Sequence, residues 1–219
     1  MEKENVIGNN YLYLNLGNNL ISELPKEIGE LNSLINLNIR NNELSTIPKE
    51  IGNLNNLKNL NLSNNRISKI PKEIEQLNKL TKFNLGNNEL TNIPKEIVNL
   101  TNLKDLNLEF NFLEKIPKEI GKLKTLMVLD LIDNRFSEIP KEILSFNELK
   151  NLNISGNHIS EIPKEIGNLN KLTVLDLSNN YKITELPKEM GNLTNLSSLN
   201  LSFNKLVKLP KEIIRNLMN

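Results

Sequence analysis

Every proline in this 219-residue chain sits in one tripeptide, Pro-Lys-Glu, and each is preceded by Leu or Ile. The nine are Pro25, Pro48, Pro71, Pro94, Pro117, Pro140, Pro163, Pro187 and Pro210. They recur every 23 residues, except for one step of 24 between Pro163 and Pro187. Self-similarity at a fixed period of this length is the signature of a stacked array, in which each unit covers the apolar side of its neighbour.

A second pattern runs between the prolines, L-x-x-L-x-L-x-x-N-x-[LI], clearest in Leu57-Lys58-Asn59-Leu60-Asn61-Leu62-Ser63-Asn64-Asn65-Arg66-Ile67. Nine copies begin at Tyr11, Leu34, Leu57, Leu80, Leu103, Leu126, Leu149, Leu172 and Leu196. The stretch x-L-x-L-x alternates with period two, so both leucines face one way. Such a strand is too short to stand alone. Stacked about 4.8 Å apart, the copies build a parallel sheet, pair their backbone groups and align the leucines in columns. The proline half returns the chain. Proline fixes φ, lacks an N–H and suits the first turn of a helical segment, while its predecessor is pushed to extended geometry. The Glu two residues on meets the favourable end of the helix dipole. Ile28 and Leu31, with their equivalents, turn an apolar edge inward. Short α or 3-10 segments are expected on the outer side, reached by right-handed crossovers.

These motifs resemble the leucine-rich repeat family, and the I/L-P-K-E-I unit is similar to its 23-residue Ras-group and bacterial subtype, over roughly residues 11–217. The resemblance implies an α/β fold: a right-handed solenoid, or horseshoe, with a concave parallel sheet of about nine strands and short convex segments. One domain is expected over 1–219, with an irregular segment at 1–10, nine repeats over 11–206 and a C-terminal return and partial cap over 207–219. The asparagines Asn19, Asn42, Asn65, Asn88, Asn111, Asn134, Asn157, Asn180 and Asn204 are read as structural. A side-chain amide at that point satisfies backbone groups where the chain leaves the strand. In the family this column is the asparagine ladder.

Composition excludes several functions. The chain has no cysteine, which removes disulfide scaffolds, zinc-thiolate sites and cysteine nucleophiles. One histidine, His158, makes no polyhistidine metal centre, and no phosphate-loop, dinucleotide or hydrolase motif occurs. The reading is non-enzymatic and without a cofactor. A formal net charge of +1 carries no general attraction for nucleic acid. No apolar run reaches the ~18 residues of a membrane span. The Lys-Glu pairs after the prolines read as a solvated face. The start, Met1-Glu2-Lys3-Glu4-Asn5, leads into no apolar stretch. The chain as written therefore reads as cytoplasmic, and as secreted if a leader has been removed.

Function is sought where the repeats differ. One inner column is Asn or Asp throughout, and its neighbours are mainly Asn, Ser, Gly, Thr and Lys. Repeat five instead offers Asp105, Glu109 and Phe110, with Phe112 nearby, and repeat six offers Val128, Asp130, Ile132 and Asp133. Stacked, they form an apolar patch with an acidic fringe, the composition of a protein-binding surface. The acids also invite calcium, but no EF-hand spacing occurs and an open sheet offers few converging carbonyls. The expected role is a protein-interaction module gripping a partner through the concave face. A scaffold for a small GTPase and a secreted bacterial host-binding effector are the alternatives. The extra residue in Asn179-Asn180-Tyr181-Lys182-Ile183 is expected to bulge at the strand exit and display Tyr181. The first strand, with Tyr11 and Tyr13, is expected to be an open edge, through which copies self-associate or beyond which the natural chain extends upstream.

Overall fold

The computed structural model describes residues 11–217. The expected irregular segment at 1–10 lies outside the described residues. Nine three-residue strands form one parallel sheet in sequence order. They are β1 (Tyr13–Asn15), β2 (Asn36–Asn38), β3 (Asn59–Asn61), β4 (Lys82–Asn84), β5 (Asp105–Asn107), β6 (Val128–Asp130), β7 (Asn151–Asn153), β8 (Val174–Asp176) and β9 (Ser198–Asn200). Register is uniform: Asp105 lies beside Val128, Leu106 beside Leu129 and Asn107 beside Asp130, and every other pair repeats this alignment. The chain is a horseshoe of stacked coils, with the sheet as its inner wall.

The outer returns are 3-10 turns, such as Lys49–Asn53 and Lys164–Asn168. Seven prolines stand at the cap just before the turn rather than inside it, with φ between −63° and −70° and ψ between 139° and 149°. The extended ψ lets each proline carbonyl accept the N–H three residues on, as Ile51 N–H donates to Pro48 O at 3.1 Å. A proline needs no donor there. The final return is a true α-helix, α1 (Lys211–Leu217). It seats Ile213 in the core, yet Leu199, Leu201 and Leu206 stay half-buried, and Val207 and Leu209 are exposed. The helix covers the outer side of the last coil and leaves the sheet end open.

The core is one continuous column of Leu and Ile, with Phe83, Phe136 and Phe146 filling single steps. Five outer returns place glycine where they touch the next one, at Gly29, Gly52, Gly121, Gly167 and Gly191, while Glu75 and Val98 fill the same register in repeats three and four. A Cβ at Gly52 or Gly167 would come within 2.5 or 2.4 Å of a carbonyl in the next return. Leu144 occupies that register in repeat six, and beside it the outer wall opens into a groove of about 740 Å³ lined by Ile139, Pro140, Leu144 and Pro163.

The asparagine ladder forms as expected. Asn134 Nδ2 donates to the Leu108, Leu131 and Ile132 carbonyls at 2.9–3.2 Å, and its Oδ1 accepts the Leu113 N–H at 3.0 Å. From Asn42 onward, each ladder amide thus ties its own coil to the one before.

Candidate functional site on the inner wall

Each strand presents its first and third residues to the concave side, and the two residues after the next leucine continue that surface to the turn. The third-residue column has a structural duty. In all nine repeats its Oδ1 accepts the N–H two residues on, from Asn15 with Gly17 to Asn200 with Ser202. Its sequence uniformity is explained by this turn. Asp130 belongs to it, with Oδ1 3.1 Å from the Ile132 N.

The last residue before the ladder asparagine has positive φ in the described repeats: Asn18, Asn41, Asn64, Asn87, Phe110, Asp133, Gly156, Asn179 and Phe203. Left-handed backbone suits Gly, Asn and Asp, and a bulky residue there is a genuine outlier. Phe110, at φ 50°, is half exposed, and Phe203, at φ 54°, is 71% exposed. Gly156 is the single glycine of this column for a visible reason. A Cβ there would lie 2.2 Å from Asp133 Oδ1, because the Asp133 carboxylate leans across the neighbouring coil.

Repeats five and six bring the sequence-derived candidates together, with one exception. Asp105 and Val128 are adjacent on β5 and β6, and Asn107 beside Asp130 carries Glu109 and Ile132 into the turn. Val128 and Ile132 are half-buried, Phe110 and Asp133 exposed. Phe112 lies past the ladder asparagine on the flank, where the Arg135 guanidinium sits 4.5 Å from its ring centroid. That places it in the column of Glu43 and Arg66, which form an ion pair at 3.6 Å, and outside the inner wall. Tyr181 is displayed at the strand exit, as its insertion predicts, and its hydroxyl donates to Asn179 Oδ1 at 3.3 Å. Tyr13 is exposed on β1, the first strand of the sheet, and Tyr11 is exposed just before it.

The wall is polarised in charge. From the first strand residue to the turn, repeats one to four carry Arg40 and Lys82 and no acid, whereas repeats five to nine carry Asp105, Glu109, Asp130, Asp133 and Asp176 and no base. Lys82 on β4 lies directly beside Asp105 at the boundary of the two halves, and Lys104 and Lys150 precede their strands at the opposite rim. Burial pushes the Asp130 carboxyl up to about 6, the Ile132 N–H opposes this, and Glu109, Asp105 and Asp176 add repulsion. Burial also raises Asp105, against the pull of Lys82, and raises Asp133. Among the described residues no cluster of acids and histidine is placed to hold a metal ion, and no helix is long and apolar enough to cross a membrane. Beside the patch, a shallow trough of about 390 Å³ lined by Asn36, Asn59, Lys82 and Asp105 runs along the wall of repeats two to five.

A curved stack of identical coils with an open, chemically varied inner wall defines a repeat scaffold for binding. Profiles described as leucine-rich repeat region and leucine rich repeat match residues 10–111 with 141–219, and 101–159, respectively. The chain belongs to the leucine-rich repeat family. No curated protein matches it. A leucine-rich repeat protein of Leptospira interrogans is 45% identical, with a TM-score of 0.92 over 95% of this chain and 53% of that one. The ectodomain of the Arabidopsis thaliana receptor kinase GASSHO1/SCHENGEN3, solved with Casparian strip integrity factor 2, is 32% identical, with a TM-score of 0.75 over 94% of this chain and 29% of that one. The plant peptide hormone receptor RGFR1, solved with RGF2, is 31% identical, with a TM-score of 0.75 over 92% and 38%. The chain therefore spans about half the length of the Leptospira protein and about a third of the plant receptors.

Proposed function

We propose that the chain is a protein-interaction module that captures its partner on the concave wall of repeats five and six, with Phe110 and Ile132 as apolar contacts and Asp105, Glu109, Asp130 and Asp133 selecting a basic rim. Val128 extends the apolar floor. One observation carries the reading: Phe110 holds a large ring half exposed, in a backbone region where most neighbouring repeats place asparagine. Strain of that kind persists where it serves a function. The similar plant receptors solved in complex with partners support a binding role. Nine strands spaced about 4.8 Å apart give an arc of roughly 40 Å, enough for the ~800 Å² per side of a standard interface. The role is binding rather than catalysis.

The test compares affinity capture by the intact chain and by a Phe110→Asp, Ile132→Asp double variant, with circular dichroism checking the fold. The captured protein should be lost from the variant. Equal capture by both would remove this patch from the wall's function.

A further inference from the structure

Phe110 and Phe203 are the same residue at the same register, four coils apart, and both hold a phenylalanine in left-handed backbone. Four strand spacings put them about 19 Å apart along the wall. Between them the turn column runs Asp133, Gly156, Asn179. No apolar side chain stands between the two rings in that column, and Gly156 leaves the backbone bare. Behind it, the inner wall of repeats five to nine carries five carboxylates and no lysine or arginine. Arg135, on the adjoining flank, is stacked on Phe112.

We infer that this rim binds an extended basic polypeptide segment, clamped at its two ends by Phe110 and Phe203 and held between them by Asp130, Asp133 and Asp176, the carboxylates of the intervening coils. The inference rests on the concave-wall reading and extends it from a two-coil patch to a five-coil track. An extended chain rises about 3.3 Å per residue, so roughly six residues separate the positions that meet the two rings. The charge complement is specific to this half of the wall, since repeats one to four carry Arg40 and Lys82 at the matching positions. A segment with apolar side chains six apart and Lys or Arg between them fits the track in both shape and sign.

The experiment uses the full chain and a fluorescein-labelled synthetic heptapeptide with leucine at its first and seventh positions, lysine at its third and fifth, and serine elsewhere. A control peptide of the same composition has its leucines three apart. Binding is followed by fluorescence polarisation. Phe110→Asn and Phe203→Asn install the residue that other coils use at this register, so both variants keep the fold. The expected result is saturable binding of the first peptide, weakened about fivefold or more by either variant and by the leucine shift. Unchanged affinity in Phe203→Asn, with loss in Phe110→Asn, overturns the two-point clamp and leaves the concave-wall reading standing. Equal binding of both peptides also overturns the clamp. Loss of partner capture in the Phe110→Asp, Ile132→Asp variant reports on the concave-wall reading separately.

Discussion

The Ile183 N–H donates to the Asn180 carbonyl at 3.0 Å, and so is turned away from Asn204 Oδ1. In the seven coil pairs before it, from Ile21 with Asn42 to Ile159 with Asn180, the equivalent N–H donates to the ladder oxygen of the next coil at 3.0–3.1 Å. The residue inserted around Tyr181 shifts that donor, and the buried Asn204 Oδ1 is left without a partner among the described residues. The ladder therefore has one weak rung, whose cause is the single 24-residue step.

Ladder substitutions should differ accordingly. Asn134→Ala strips partners from buried backbone groups of two coils and should cost roughly 2–5 kcal/mol. Asn204→Ala loses no Oδ1 bond and should cost at least about 1 kcal/mol less. Urea unfolding of the two variants measures the difference, and equal costs would contradict the account of the weak rung.

Phe110→Asn should stabilise the chain by roughly 0.5–1 kcal/mol, because left-handed backbone costs asparagine less than phenylalanine. In a chain of this size that corresponds to about 1–4 °C in the thermal midpoint. A lower midpoint would mean that the ring packs usefully on the wall.

Asp130 links stability to pH. Burial pushes its folded carboxyl up to about 6, from an ordinary value of 3.8. Between those values the folded chain keeps a proton that the unfolded chain releases, so stability from this group falls as pH rises through the window and is flat above it. Asp130→Asn keeps the acceptor for the Ile132 N–H, as asparagine does in seven other repeats. The variant should be more stable than the parent at pH 7, with the gain vanishing near pH 4. Thermal midpoints across that range measure it, and a gain independent of pH would assign the effect to something other than ionisation.

Gly167→Ala should destabilise the chain by about 1–3 kcal/mol, since its Cβ would press on the Glu189 carbonyl at 2.4 Å. Chemical denaturation reports the loss, and a neutral result would mean that the outer returns can spread there as they do beside Leu144.

Much of this architecture is legible in the spacing alone. Two leucines per strand and one proline per return fix the sheet, the stack and the side of each column, because only one register buries Leu37, Leu60, Leu106 and their equivalents in the interior coils. The inner patch is legible too, as a break in columns otherwise filled by small polar residues. Backbone sign is not. Phe110 and Phe203 read as surface aromatics until their positive φ is seen, although the run of Asn at that register was a usable signal. The displacement of Phe112 to the flank was hidden for a related reason: the chain turns sharply after the left-handed residue, so two positions in sequence become two faces in space. The duty of Asp130 in a turn was concealed by its resemblance to a ligand carboxylate.

Because every coil advances the wall by the same increment, the chain is a ruler graduated in strand spacings. Excising one whole unit between Phe110 and Phe203 moves the two marks closer by a single graduation without altering either ring. Duplicating one moves them apart by the same amount. Gain or loss of whole units therefore changes the distance between the two rings in fixed steps while leaving the chemistry of each coil intact.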